Sequence, residues 1–114
     1  MEKLILKFKL LNPNVGFYTL SETFGSSITK LMEILEIESY YIIDDIIIIL
    51  DDNGNKKYEE YSDGKWFKYK YNKEGVLIYE EHSNKFWVKM NYNENGVLMN
   101  HEFSGGRIYV YEKK

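Results

Sequence analysis

Two histidines, His82 and His101, are the only imidazoles in the chain, and cysteine is absent. Thiolate ligands, cysteine nucleophiles and disulfides are therefore excluded at the outset. Pairing the hairpins described below puts both histidines on one sheet face, near Glu59 and Glu80. A metal or acid–base centre needs such groups to converge, whereas these lie singly on separate strands with no dedicated ligand spacing. Gly105-Gly106 reads as a hairpin tip, and Gly25-Ser26-Ser27 as the start of a helix, so neither is a phosphate loop. Asp44-Asp45 and Asp51-Asp52-Asn53-Gly54 lack the further oxygen ligands of a calcium loop and read as a strand break and a turn. The expectation is a chain that is not an enzyme, with no catalytic residues, no metal and no cofactor.

Recognition is the chemistry that remains. Trp66, Trp87, Tyr58, Tyr79, Lys68, Lys89 and Glu81 fall on one predicted sheet face, where acid alternates with Trp and Tyr with Lys. Large aromatics framed by charge have the composition of protein-binding hot spots. A scaffold reading stands beside it: like charges sit on alternate strands and lysine stems pack on their neighbours, so such a face is stable when solvated. Lys65, Trp66, Lys68, Tyr69 and Lys70 also interleave base and aromatic as single-strand nucleic-acid binders do, although Glu60 and Glu81 flank Trp66.

These side chains need strands to carry them, and the C-terminal half supplies them by repetition. Gly54, Gly75 and Gly96 are spaced by 21 residues, as are Ser62, Ser83 and Ser104. Each unit opens on a polar tetrapeptide ending in Gly, which suits a turn with its last residue at positive φ. A strand follows, then a three-residue link (Ser62-Asp63-Gly64, Ser83-Asn84-Lys85, Ser104-Gly105-Gly106), then a second strand. Pairing Tyr61 with Lys65, His82 with Phe86 and Phe103 with Arg107 fixes the faces. The Trp66 and Trp87 side is then expected to be solvated, and the side with Tyr71, Val76, Tyr92 and Val97 to receive the helix.

The first half is less regular. Residues 3–10 alternate, with Leu4, Leu6, Phe8 and Leu10 against Lys3, Lys7 and Lys9, which predicts a half-buried strand. Residues 12–25 read as a connection with a short strand at about Phe17 to Leu20. A helix is expected from Ser27 to Ser39, packing Leu31, Met32 and Leu35 on the sheet. Residues 40–50 are expected to form the central strand. Together these predict one α+β domain over residues 1–114, with a strand–helix–strand portion at 1–50 and the threefold repeat at 51–114. Its architecture would be one helix on a strongly curved, mostly antiparallel sheet ending in a six-strand meander.

Tyr69-x-Tyr71-Asn72-x-x-Gly75-x-Leu77 and Met90-x-Tyr92-Asn93-x-x-Gly96-x-Leu98 resemble the YD repeat of Rhs-type proteins, with Asn72 and Asn93 where that repeat usually has Asp. They are also similar to tandem hairpin repeats in small proteins of phages and low-GC bacteria. The resemblance implies a hairpin scaffold and brings no active site. In size and composition the chain further resembles inhibitors of bacterial defence, including anti-CRISPR proteins that occlude an RNA-guided nuclease.

Bulk properties agree with a binding module. The chain has 114 residues, 44% of them hydrophobic, and a net charge of −3, which gives no reason to expect a polyanion-binding tail. Residues 40–50, the most apolar stretch, contain Asp44 and Asp45 and are far shorter than the roughly 20 residues of a membrane span. The charges in residues 1–11 break up a signal-peptide core. Ala and Gln are absent and Arg107 is the single arginine, as in translation of an AT-rich genome. The resulting expectation is a cytoplasmic, non-enzymatic inhibitor or adaptor of phage or mobile-element origin that binds a protein, such as a bacterial nuclease complex. The alternatives are a toxin-neutralising immunity protein or a single-stranded nucleic-acid binder using the Trp/Tyr/Lys face.

Overall fold

Residues 2–11 form a helix, not the strand that the alternation over residues 3–10 predicts. In a computed structural model, which describes residues 1–111, helix α1 spans Glu2–Leu11. Ile5, the residue that interrupts the alternation, is fully buried, while Leu4, Leu6 and Leu10 are exposed. Leu, Lys and Glu are good helix formers, so local propensity prevails where no partner strand is at hand. Helix α2 spans Phe17–Phe24, replacing the short strand expected there. It ends at Gly25, whose φ of 65° closes the helix in the left-handed region that glycine tolerates.

Helix α3, Ile28–Ile34, starts where expected, with the Ser27 hydroxyl accepting the Lys30 N–H at 3.2 Å. It stops earlier than Ser39. Glu36 takes a positive φ of 58°, the Ile37 N–H bonds the Met32 carbonyl, and the Glu36 N–H bonds the Glu33 carbonyl. That is a Schellman closure built without glycine, which is why no composition signal marks it.

Eight strands follow, each pairing antiparallel with the next, in one open sheet: β1 Tyr40–Ile43, β2 Ile46–Leu50, β3 Lys56–Glu60, β4 Trp66–Tyr71, β5 Leu77–His82, β6 Trp87–Tyr92, β7 Leu98–Phe103 and β8 Ile108–Val110. The architecture is α+β with three helices. Residues 40–50 are a hairpin near one edge, not a central strand, because Asp44 and Asp45 both take positive φ (50° and 63°) as a two-residue type I′ turn requires.

The 21-residue repeat is present in the backbone. Gly54, Gly75 and Gly96 have φ of 82°, 81° and 78°. At the head of each loop one carboxylate or amide oxygen accepts two backbone N–H groups: Asp51 from Asn53 and Asn55, Asn72 from Glu74 and Val76, Asn93 from Asn95 and Val97. An Asn oxygen serves as well as an Asp oxygen in that role. In the links, Lys85 takes a positive φ of 75° where Gly64 and Gly106 take 96° and 85° in the other units. Tyr61, His82 and Phe103 pair across these links as expected.

Between units, however, the register slips. Lys57, Ile78 and Met99 are extra residues at three bulges, so Tyr69 faces Glu80, not Ile78, and Lys68 faces Glu81. Glu81 pairs with both Lys68 and Trp87, which keeps Trp66 and Trp87 on one face.

The helices cover that Trp face, and not the opposite one. Ile47 and Ile49 pair with Glu60 and Tyr58, and cluster with Phe17 of α2 and Met32 of α3. A second cluster of Ile5, Leu20 and Leu31 joins the three helices to one another. Val76 and Val97, expected beneath a helix, are exposed. Four consecutive isoleucines in β2 attract the helices by giving that strand an apolar side on both faces. Neither hydrophobic cluster that carries helix residues includes a side chain of β5 to β8. No helix among the described residues is long and apolar enough to cross a membrane.

Candidate functional site: a Tyr–Glu–Trp constellation built twice

The repeat places the same side chains in successive units. In the first, Tyr58 and Trp66 stack with centroids 6.4 Å apart and planes at 25°, and the Tyr58 hydroxyl donates to Glu60 Oε1 at 2.6 Å. In the second, Tyr79 and Trp87 stack at 6.1 Å and 28°, and the Tyr79 hydroxyl donates to Glu81 Oε1 at 3.2 Å. The third unit puts Asn100 and Ile108 in the aromatic positions, so the constellation ends with the second.

Their surroundings differ. The first constellation lies under the helices: Glu60 is fully buried and Trp66 is 9% exposed. The Phe17 N–H donates to Glu60 Oε1 at 2.8 Å and the Tyr18 N–H to Oε2 at 2.9 Å, so the carboxylate receives the first turn of α2. Negative charge at a helix N-terminus meets both its free N–H groups and its dipole. Gly16 precedes the helix because a Cβ there would lie 2.8 Å from Glu60 Oε2. The Lys68 ammonium lies 4.7 Å from the Trp66 centroid and bonds Asn14 Oδ1 at 2.8 Å. Lys9 crosses the Phe17 ring and donates to the Pro13 and Val15 carbonyls. Burial holds its pKa below the ordinary value, partly offset by Glu60.

The second constellation is open. Tyr79, Glu81 and Trp87 are half-buried and Lys89 is exposed. Where the first unit is flanked by Ile47 and Ile49, the second is flanked by Lys68 and Lys70, with the Lys70 ammonium 5.3 Å from the Tyr79 centroid. That exchange of isoleucine for lysine, 21 residues on, explains why the helices settle on one unit and not the other. No protein-family model matches this sequence, and no curated protein matches it.

The sequence-derived set is therefore divided. Tyr58, Trp66 and Lys68 belong to the interior and its rim, whereas Tyr79, Glu81, Trp87 and Lys89 share an accessible surface. Lys70, which the sequence offers only within the base–aromatic run, joins them, and Glu60, which it offers only as a neighbour of Trp66, proves to be fully buried, as no local pattern announces. Between helices and sheet lies a cleft of about 660 Å³, with Phe17, Ile49 and Tyr58 among its lining and Lys9, Lys68 and Lys70 contributing cationic groups.

The histidines stand apart. His82 Nε2 lies 3.0 Å from Glu80 Oε1, and His101 Nδ1 lies 2.8 Å from the Tyr111 hydroxyl. Glu59, expected near them, instead accepts from Tyr69 and Lys56. Among the described residues no group of three or more His, Asp or Glu gathers to hold a metal. On that face the imidazoles belong to a ladder of rings that includes Phe67, Phe86 and Phe103.

Burial, followed by the Glu60 charge, pushes the Tyr58 phenol well above its ordinary 10.0. A raised folded pKa means stability that is complete below the unfolded pKa and lost as pH rises past it. Unfolding midpoints measured from about pH 9 to about pH 11 should therefore fall more steeply for the native chain than for Tyr58→Phe. Lys9, held below its ordinary 10.5, acts in the opposite direction and is common to both proteins. Parallel profiles would mean that Tyr58 is not the buried phenol described.

Proposed function

We propose that the chain is a non-enzymatic protein-binding module whose recognition surface is the open face of the second repeat: Tyr79, Glu81 and Trp87, flanked by Lys70 and Lys89. One observation carries the reading. The same stacked Tyr–Trp pair is built twice, and in the first unit this fold uses it to seat protein, its own helices. A stacked pair with a charged surround, already ordered before binding, loses little conformational freedom on association.

The function suggested is inhibition or scaffolding by occlusion. The likeness of the repeat to tandem hairpin repeats of small phage proteins supports an inhibitor of a bacterial defence system, acting on a protein complex in the host cytoplasm. An immunity protein against a toxin uses the same surface logic, and gene context separates the two. Single-stranded nucleic acid is the weaker reading, because Trp66 is enclosed and one of its two indole platforms is lost.

The test is affinity capture from a lysate of the encoding organism with wild type and Trp87→Ala, followed by mass spectrometry. The variant should keep its fold and lose the partner, a loss of about 2 kcal/mol or more in affinity for an anchor residue. Retention at raised salt favours a protein partner, whereas contacts to phosphate weaken steeply with salt. Equal capture by both proteins would remove this face from the function.

A further inference from the structure

The first repeat shows what its constellation holds. Glu60, steadied by Tyr58, accepts the first two N–H groups of α2, and Gly16 removes the Cβ that would strike the carboxylate. Glu81, steadied by Tyr79 in the same way, receives no helix N–H among the described residues. Among the described residues it forms no ion pair, although Lys68 lies opposite it in the register. A half-buried carboxylate beside a stacked Tyr–Trp pair thus repeats the receptor of the first unit, accepting only the Tyr79 hydroxyl among the described residues.

We propose that the second repeat is a receptor for the N-terminus of an α-helix of a partner protein, with Glu81 accepting the N–H groups of the helix's first turn. The inference rests on the reading of this face as a protein-binding surface. The occupant is defined by chemistry. Its helix starts after a glycine, since any Cβ at that position meets the carboxylate, and an aromatic residue opens the first turn to pack on Tyr79 and Trp87. Lys68 and Lys70 stand where the first unit has Ile47 and Ile49, so the partner helix carries acidic side chains where α2 carries apolar ones. Acidic groups are also favourable in the first turn of their own helix. The chain's own α2 is not the occupant, because Glu60 already holds it.

A defined probe tests this without knowledge of the partner: a peptide of residues 14–26 in which Tyr18→Glu supplies the acidic first-turn side chain, held helical by a side-chain staple, titrated into the full chain while the Trp87 indole N–H is followed by NMR. Saturable shifts at Trp87 and at the Tyr79 and Glu81 amides are expected at peptide concentrations up to about 1 mM. Glu81→Gln, at a half-exposed position, should weaken binding about tenfold, because charge-assisted bonds to backbone N–H groups become neutral ones. Gly16→Val in the peptide alone should abolish it, and that change leaves the protein untouched. Absence of saturable shifts, equal affinity for Glu81→Gln, or equal binding of the Gly16→Val peptide each overturns the proposal. Self-association of the chain through this face, seen by sedimentation without peptide, would make a second copy the occupant and overturn it as well. Partner capture that depends on Trp87 but not on Glu81 leaves the recognition surface standing and removes helix-terminus binding.

Discussion

Glu60→Ala is expected to cost about 3 to 5 kcal/mol of folding stability, because several donors in the interior lose their acceptor together. The substitution strips an acceptor from three donors at once: the Phe17 and Tyr18 N–H groups and the Tyr58 hydroxyl. Each donor left buried and unpaired loses on the order of 1 to 3 kcal/mol, and the collapse of side chains into the vacated space recovers part of that. Lys9, whose ammonium feels the Glu60 charge, loses a favourable neighbour. Glu60→Gln should fall between, at about 2 kcal/mol, since one oxygen survives but the new amide presents donors to donors. The control is Glu81→Ala, the same position one repeat later, which should stay within about 0.5 kcal/mol of wild type as open surface changes do. Urea unfolding followed by far-UV circular dichroism measures all three. Near-equal losses at the two glutamates would show that the helices are not anchored through Glu60.

That contrast also marks what was legible in the sequence. The meander was readable because Gly54, Gly75 and Gly96 occur where positive φ is needed, and glycine spacing is a backbone requirement visible in one dimension. Link pairing was readable from the 21-residue spacing of Ser62, Ser83 and Ser104, although Lys85 holds the positive φ that glycine holds in the other two links. Residues 2–11 misled because Leu4, Leu6, Phe8 and Leu10 alternate, while the residue that fills the interior is Ile5. In a short segment two or three apolar positions fit either period, and the deciding contact with Leu20 and Leu31 is tertiary. Asp44-Asp45 did signal a break, but the step from break to hairpin depended on two non-glycine residues taking positive φ, which is rare enough to escape composition.

The candidate site was half legible, for a related reason. Counting along the strands put Trp66, Trp87, Tyr58, Tyr79 and the glutamates on one face correctly, yet their burial depends on what lies above them. Ile47 and Ile49 carry that information, since they share the face and are apolar. Reading residues 40–50 as one strand obscured it: with the turn at Asp44-Asp45 in place, β2 pairs with β3 and puts its isoleucines beside Tyr58 and Glu60. The helices follow the isoleucines.

The two tryptophans should therefore respond differently to the same substitution. Trp66 is nearly enclosed, stacked on Tyr58 with the Lys68 ammonium over its ring. Truncating it leaves a cavity beside a buried carboxylate, and Trp66→Ala is expected to destabilise by about 3 to 5 kcal/mol. Trp87 has an equivalent stacking partner but keeps part of its surface in water, so Trp87→Ala should cost only about 1 to 2 kcal/mol from the apolar area already removed from solvent. Denaturation midpoints decide the stability arm, provided the slope of the transition is unchanged, so that the shift reports stability and not a change in the unfolded chain. Acrylamide quenching gives an independent check, because the single-tryptophan variants Trp87→Phe and Trp66→Phe isolate an enclosed indole and an accessible one. The binding arm runs the other way: once folded, a Trp66 variant should retain the second-repeat surface, while a Trp87 variant loses its aromatic platform. If both variants lost stability alike and bound alike, the repeat would be one uniform scaffold, and the difference between a covered unit and an open one would have no functional consequence.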